Sequence, residues 1–167
     1  MFKVNDTVIY DSHGVCTVRA VEPHNFIGEN LEYYVLQQIA PPGNKFYVPT
    51  SNEKLVEKMR TLYSSCEINE FIMNMPDEDC VWIDDDVQRK NEYHRIISAG
   101  DRHELVRLIK TLYLHRERLS QEGKRLHAAD EKFLSDAENM LYGEFAYSLD
   151  IPKDQVVEYI KEHLSAV

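Results

Sequence analysis

Glycine is scarce in this chain. The six glycines in 167 residues read as turn or cap positions, which leaves no loop able to cradle a nucleotide phosphate. Cysteine is scarcer still: Cys16, Cys66 and Cys80 are odd in number, widely spaced and without a CxxC pair, so a disulfide framework or zinc site is excluded and buried thiols are expected. No window approaches the ~20 consecutive apolar residues of a membrane span, and the N-terminus lacks the apolar core of a secretory signal. A cytoplasmic protein that does not enter membranes is expected. Positive charge is in short supply, with 19 Lys and Arg against 29 Asp and Glu and a net charge of −10. That balance opposes indiscriminate binding to nucleic acid, so any such contact must be local or helped by a partner. GxSxG and HExxH are missing, and the seven histidines are dispersed with no nucleophile placed beside them. The runs Asp77-Glu78-Asp79 and Asp84-Asp85-Asp86 read as solvated linker charge rather than a cation site. The expectation is a non-enzyme with no cofactor and no metal.

What is present divides into two patterns. Residues 1–58 hold short runs rich in β-branched and aromatic residues: Thr7–Tyr10, Val15–Val18, Tyr33–Leu36 and Lys45–Val48. Turn signals separate them at Asp11–Gly14, Ile27–Asn30 and Pro41–Asn44. Closely spaced short strands predict a small, strongly bent sheet or barrel. Pro49 should end the last strand, and Thr50-Ser51-Asn52 before Glu53 offers a cap for a short helical turn.

From residue 59 to 167 the apolar period lengthens to that of helices. Ser64 and Glu67 have capping-box spacing ahead of Ile68, Phe71, Ile72 and Met75, with Pro76 as the stop. Asp77–Asp86 reads as an acidic hinge whose last residues suit a helix N-terminus. A helix to about Ser98 should stop at Gly100. Asp101 can cap the next, which turns Leu105, Leu108, Ile109, Leu112 and Tyr113 inward and ends near Gly123. A long helix over about 128–148 presents Phe133, Leu134, Ala137, Leu141, Phe145 and Ala146. Pro152 opens a final helix through Val156, Val157, Ile160 and Leu164. The fold class is therefore α+β: a small β barrel, 1–58, then an all-helical domain of four to five helices, 59–167.

Charge singles out one stretch. Residues 89–132 carry eleven Lys and Arg against seven Asp and Glu, a local excess of four positive charges in an acidic chain, and the sole tryptophan, Trp82, precedes them. A basic surface beside an exposed aromatic can hold phosphates and probe a base step; a solvated helical face with a half-buried tryptophan is the structural alternative. In the β part, Tyr33, Tyr34 and Tyr47 can form an aromatic cage or peptide groove, although alternation puts Tyr33 and Tyr34 on opposite faces. An exposed strand edge can also pair with a partner's strand.

The opening Phe2-Lys3-Val4-Asn5-Asp6-Thr7-Val8-Ile9-Tyr10 with His13-Gly14-Val15 resembles the start of the CarD/CdnL family of bacterial transcription regulators. The likeness continues through Ile27-Gly28-Glu29, Tyr33–Leu36 and Val48-Pro49-Thr50. It resumes at Trp82, Asp85, Arg89, Tyr93 and Gly100-Asp101, then at Leu126–Asp130 with Leu134, Ala137, Leu141 and Glu144-Phe145-Ala146. The resemblance implies a Tudor-like β domain that binds the β subunit of RNA polymerase, similar to the polymerase-binding module of transcription-repair coupling factor. It also implies a helical domain that touches promoter DNA in the minor groove at the upstream edge of the bubble and alters open-complex stability. It implies Trp82 as the DNA wedge; Arg89 and Lys90, nearest to it in sequence, and then Lys124 and Arg125, beside a predicted helix junction, are the expected DNA contacts, and the resemblance places His24 and Tyr47, where some relatives carry arginine, toward polymerase. Acids flank Trp82, so packing against the β domain is the other expectation for that side chain. A monomer is expected. The competing reading is a protein–protein adaptor whose β domain docks a partner without direct DNA contact.

Overall fold

Alternating apolar residues build an antiparallel sheet in the first third of the chain. A computed structural model describes residues 1–26, 28–40, 42–75 and 82–165. Strands β1 (Thr7–Tyr10), β2 (Val15–His24), β3 (Leu31–Ala40), β4 (Pro42–Pro49) and β5 (Met59–Thr61) lie in the order β4-β3-β2-β1-β5, all antiparallel. Irregularities in the β2–β3 register at Val15/Cys16 and Val18/Ala20, and in β3–β4 at Gln37/Ile39, bend the sheet. One face closes on Val8, Cys16, Val18, Tyr34, Leu36, Val48 and Met59.

Two readings of this region need correction. Pro42–Asn44 are not a turn but open β4, because the side chains of Gln37 and Gln38 bond Gly43 O at 2.8 Å and Asn44 N at 3.1 Å and hold that stretch in register. Met59–Thr61, beyond residue 58, pairs with β1 through Val8↔Thr61 and Tyr10↔Met59. The capped turn is there: Asn52 accepts from Leu55 N at the start of α1 (Glu53–Val56).

The helices follow with their expected punctuation. They are α2 (Ser65–Asn74), α3 (Asp86–Ala99), α4 (Arg102–Gln121), α5 (Ala128–Leu149) and α6 (Val156–Ser165). Ser64 and Glu67 form the capping box, and Asp85 and Asp101 cap α3 and α4. Gly100 ends α3 at φ +61°, a conformation glycine adopts without strain, and a Cβ there would lie 2.7 Å from Arg60 Nη2 and push that side chain aside. Gly143, by contrast, sits inside α5 rather than at a turn. Ile68, Phe71, Ile72, Leu105, Leu108, Leu112, Leu134, Leu141 and Phe145 bury together in a second core. Tyr113 and Val157 face outward, 46% and 40% exposed, because each lies just past the apolar stripe of its helix. Cys16 is buried, whereas Cys66 in the first turn of α2 is exposed. Cys80, Pro76 and most of the acidic hinge lie outside the described residues. No helix among the described residues is long and apolar enough to cross a membrane.

Between the two cores runs a buried polar seam. Arg102 donates Nε and Nη2 to Glu144, at 2.8 and 2.5 Å, and Nη2 also to Thr61 O at 2.7 Å. Its guanidinium lies 3.7 Å over the Tyr63 ring. Glu144 accepts the Tyr63 N–H at 2.9 Å, and Arg60 donates to Gly100 O. The strand end, α4 and α5 therefore meet on one carboxylate.

Candidate functional site

The segment leading into α3 is fixed by a single buried cation. Arg89 is 3% exposed and forks onto Asp130 of α5, Nε to Oδ1 at 3.2 Å and Nη2 to Oδ2 at 3.1 Å. Asp130 is itself 1% exposed. The rest of the guanidinium donates to Ile83 O at 3.0 Å, Asp84 O at 3.4 Å and Asp86 Oδ1 at 2.6 Å. It thereby ties 83–86 down onto the helical core. The expectation that Arg89 presents its charge to DNA is corrected by this burial: its donors are committed within the protein.

What Arg89 positions is Trp82. Its guanidinium carbon lies 4.6 Å from the centroid of the indole, over the ring. The imidazole of His115, on α4, stacks on the same indole with centroids 3.5 Å apart and planes 13° apart. Trp82 is half-buried and packs with the helical core, not against the β domain. Arg118 bonds His115 Nδ1 at 3.2 Å, and Trp82, Leu114, His115 and Arg118 line one shallow hollow. The sequence reading missed His115 and Arg118 as neighbours of Trp82, since their i, i+3 spacing carries no sign of a partner more than thirty residues away.

The other basic candidates are dispersed. Lys90, the next residue along α3 after Arg89, is half-exposed and paired with Asp86 at 2.6 Å. Lys124 pairs with Glu122 at 2.7 Å, and Arg125 is exposed. Both follow the end of α4, which continues six residues past His115, roughly 9 Å at 1.5 Å per residue. Several of the cations in 89–132 are paired within the protein: Arg95 bridges Glu92 and Glu104, Arg116 faces Glu131, and Arg89 and Arg102 hold buried acids.

Partial burial, then the charges of Arg118 and Arg89, lower the His115 pKa below its ordinary value of 6.5. The imidazole is therefore neutral at neutral pH. Its stacking contributes stability that is present above pH 6.5 and is lost as the pH falls through the lowered value. Because Trp82 is the sole tryptophan, its emission reads this stack directly. Acid titration should quench it with a midpoint below 6.5, and His115→Gln should abolish the transition. A midpoint at or above 6.5 contradicts the assignment.

A second surface lies at the far end of the sheet. His24 stacks on Phe26 with centroids 5.1 Å apart and planes 9° apart, and Tyr47 stands edge-on to both rings at 5.0 Å. Tyr33 closes the cluster from below, 5.3 Å from Phe26. The register Glu22↔Tyr33 and Val35↔Tyr47 puts these side chains on one face, while Tyr34 points into the core. His24 and Tyr47, named from the sequence 23 positions apart, are thus brought into contact; Phe26 was missed because its loop position has no periodicity. The edge of β4 beside Tyr47 pairs with no other strand among the described residues.

Two family descriptions match the chain. The CarD-like/TRCF RID domain matches residues 2–61, and the CarD C-terminal domain matches residues 76–161. The first match ends at Thr61, the last residue of β5, and residues 62–75, which include α2, lie between the two matches.

Proposed function

This chain belongs to the CarD family and is an RNA polymerase-interacting transcription factor, and from that premise we propose that it contacts promoter DNA and alters the stability of the open complex. The β domain, 1–58 with β5 added, docks on the polymerase β subunit through the face that carries His24 and Tyr47. The helical domain then reaches the upstream edge of the bubble. The protein acts as a cytoplasmic monomer, without catalysis.

The observation that carries this reading is Trp82, a partly buried indole packed against Arg89 and His115. A wedge that holds a kinked or unstacked base step must not yield itself, because unstacking costs a few kcal/mol and is offset only by contacts the protein keeps in place. Arg118, beside the stack, and Lys90 supply phosphate contacts near the wedge, and Lys124 and Arg125 extend them; such contacts position the domain without reading sequence. Tethering to polymerase raises the local concentration at DNA, which lets a few cations suffice in a chain of net charge −10.

The test is open-complex lifetime on a ribosomal RNA promoter with the cognate polymerase, for no protein, wild type and Trp82→Ala. Wild type should change the lifetime, and Trp82→Ala should lose that effect while still binding polymerase. A variant as effective as wild type makes Trp82 a packing residue only. A wild type that binds polymerase and leaves the lifetime unaltered is an adaptor without DNA contact.

A further inference from the structure

The face around His24 and Tyr47 has an unusual composition for a docking surface. Phe26 is 56% exposed and Tyr47 40% exposed, although Phe26 touches three other rings of the cluster and Tyr47 two. These rings are therefore held in place by one another while still open to solvent. Between Arg19 and Lys45 the sequence has no Lys or Arg, but it has Glu22, Glu29 and Glu32. Glu22 lies on the aromatic face, opposite Tyr33 in the register, and its carboxylate meets His24 Nε2 at 3.1 Å. The ring cluster thus has a carboxylate at its Glu22 side, away from Lys45 on β4, and aromatic faces are themselves negative at the centre. Both features attract a cation and repel a carboxylate. The chain supplies no such cation itself: among the described residues, the cation–ring contacts are Arg89–Trp82, Arg102–Tyr63 and Arg116–Tyr113.

We infer that this face receives a Lys or Arg side chain of the polymerase, laid on the rings of Phe26 and Tyr47 with Glu22 at its rim. The inference rests on the reading of this face as the polymerase-binding surface. Recognition is then by cation and ring, with the partner supplying the positive charge. A partner carboxylate would meet Glu22 and the ring faces unfavourably.

The experiment measures the Kd of the full chain for cognate RNA polymerase. Phe26→Leu and Tyr47→Leu should each weaken binding by about tenfold, the loss of one well-packed cation–ring contact, and Tyr47→Phe should lose less than Tyr47→Leu because it keeps the ring. Phenylalanine of increasing fluorine content at position 26 keeps the ring in place while draining its face, and affinity should fall stepwise with each fluorine. Thermal unfolding confirms that each variant folds. Flat affinity across the fluorine series, or tighter binding by Tyr47→Arg, overturns the cation-on-ring inference and leaves the polymerase reading standing. A wild type that does not bind polymerase overturns both.

Discussion

Asp130→Ala is expected to remove about 3–5 kcal/mol of folding stability, the usual cost of deleting one partner of a buried ion pair. The variant leaves the Arg89 guanidinium, 3% exposed, without the carboxylate that takes two of its N–H groups. The contacts to Ile83 O, Asp84 O and Asp86 remain, but they belong to the segment that Arg89 is meant to anchor, so they cannot tie it to α5. Urea unfolding measures the loss, and the emission of Trp82 should shift toward that of a solvated indole. The double variant Arg89→Met with Asp130→Leu separates the causes. It removes both charges and fills similar volume, so it should recover most of the stability. If Asp130→Ala costs less than about 1 kcal/mol, within the range of an exposed ion pair, the pair is not the anchor described above.

Glu144→Ala should cost a similar amount, again about 3–5 kcal/mol, and it should also loosen the junction between sheet and helices. Glu144 is 3% exposed and accepts from both Arg102 and the Tyr63 N–H. Without it, Arg102 and Arg60 face each other with no buried counter-charge. Burial, then the Arg102 charge, already hold the Arg60 pKa below its ordinary value, and Glu144 works against that. The Tyr63 N–H loses its partner as well, a cost that falls on the link between β5 and α2. Thermal unfolding should show the loss, and limited proteolysis should open near residue 62, where the wild type resists. Glu144→Gln should lose less than alanine, since an amide oxygen can still accept the Tyr63 N–H. An alanine variant with wild-type stability and proteolysis contradicts the role assigned to this carboxylate.

The same two ion pairs mark the limit of what could be read without coordinates. Arg89 was legible as a cation beside the sole tryptophan and therefore looked like a DNA contact. Its partner, Asp130, lies 41 residues away, and nothing in local spacing distinguishes a buried acid in the first turn of a helix from an exposed one. Glu144 was legible only as part of a family-like run, with no hint that it meets Arg102. His115 appeared as one of several dispersed helix histidines, and its ring turned out to carry the indole. In the sheet, β2 and β3 extend well past the apolar runs that announced them, through Glu22, Pro23 and His24 on one side and Leu31 and Glu32 on the other. Those residues have poor strand propensity, and pairing across the hairpin overrides it.

By itself the sequence determined the two-part architecture, the helix boundaries and most of the core. Each of these depends on interactions within a few residues: the capping carboxylates Asp85 and Asp101, the stop at Gly100, the box at Ser64 and Glu67, and apolar spacing that repeats along each helix. It also brought Trp82 forward as a candidate, while His24 and Tyr47 came forward as a polymerase-facing pair through the family resemblance. Only the tertiary structure decided which charges are buried, what holds Trp82, and that His24, Phe26 and Tyr47 form one open aromatic face. Desolvation and pairing are set by which elements pack together, and an arginine on a helix keeps the same local pattern whether it faces solvent or an aspartate across the core.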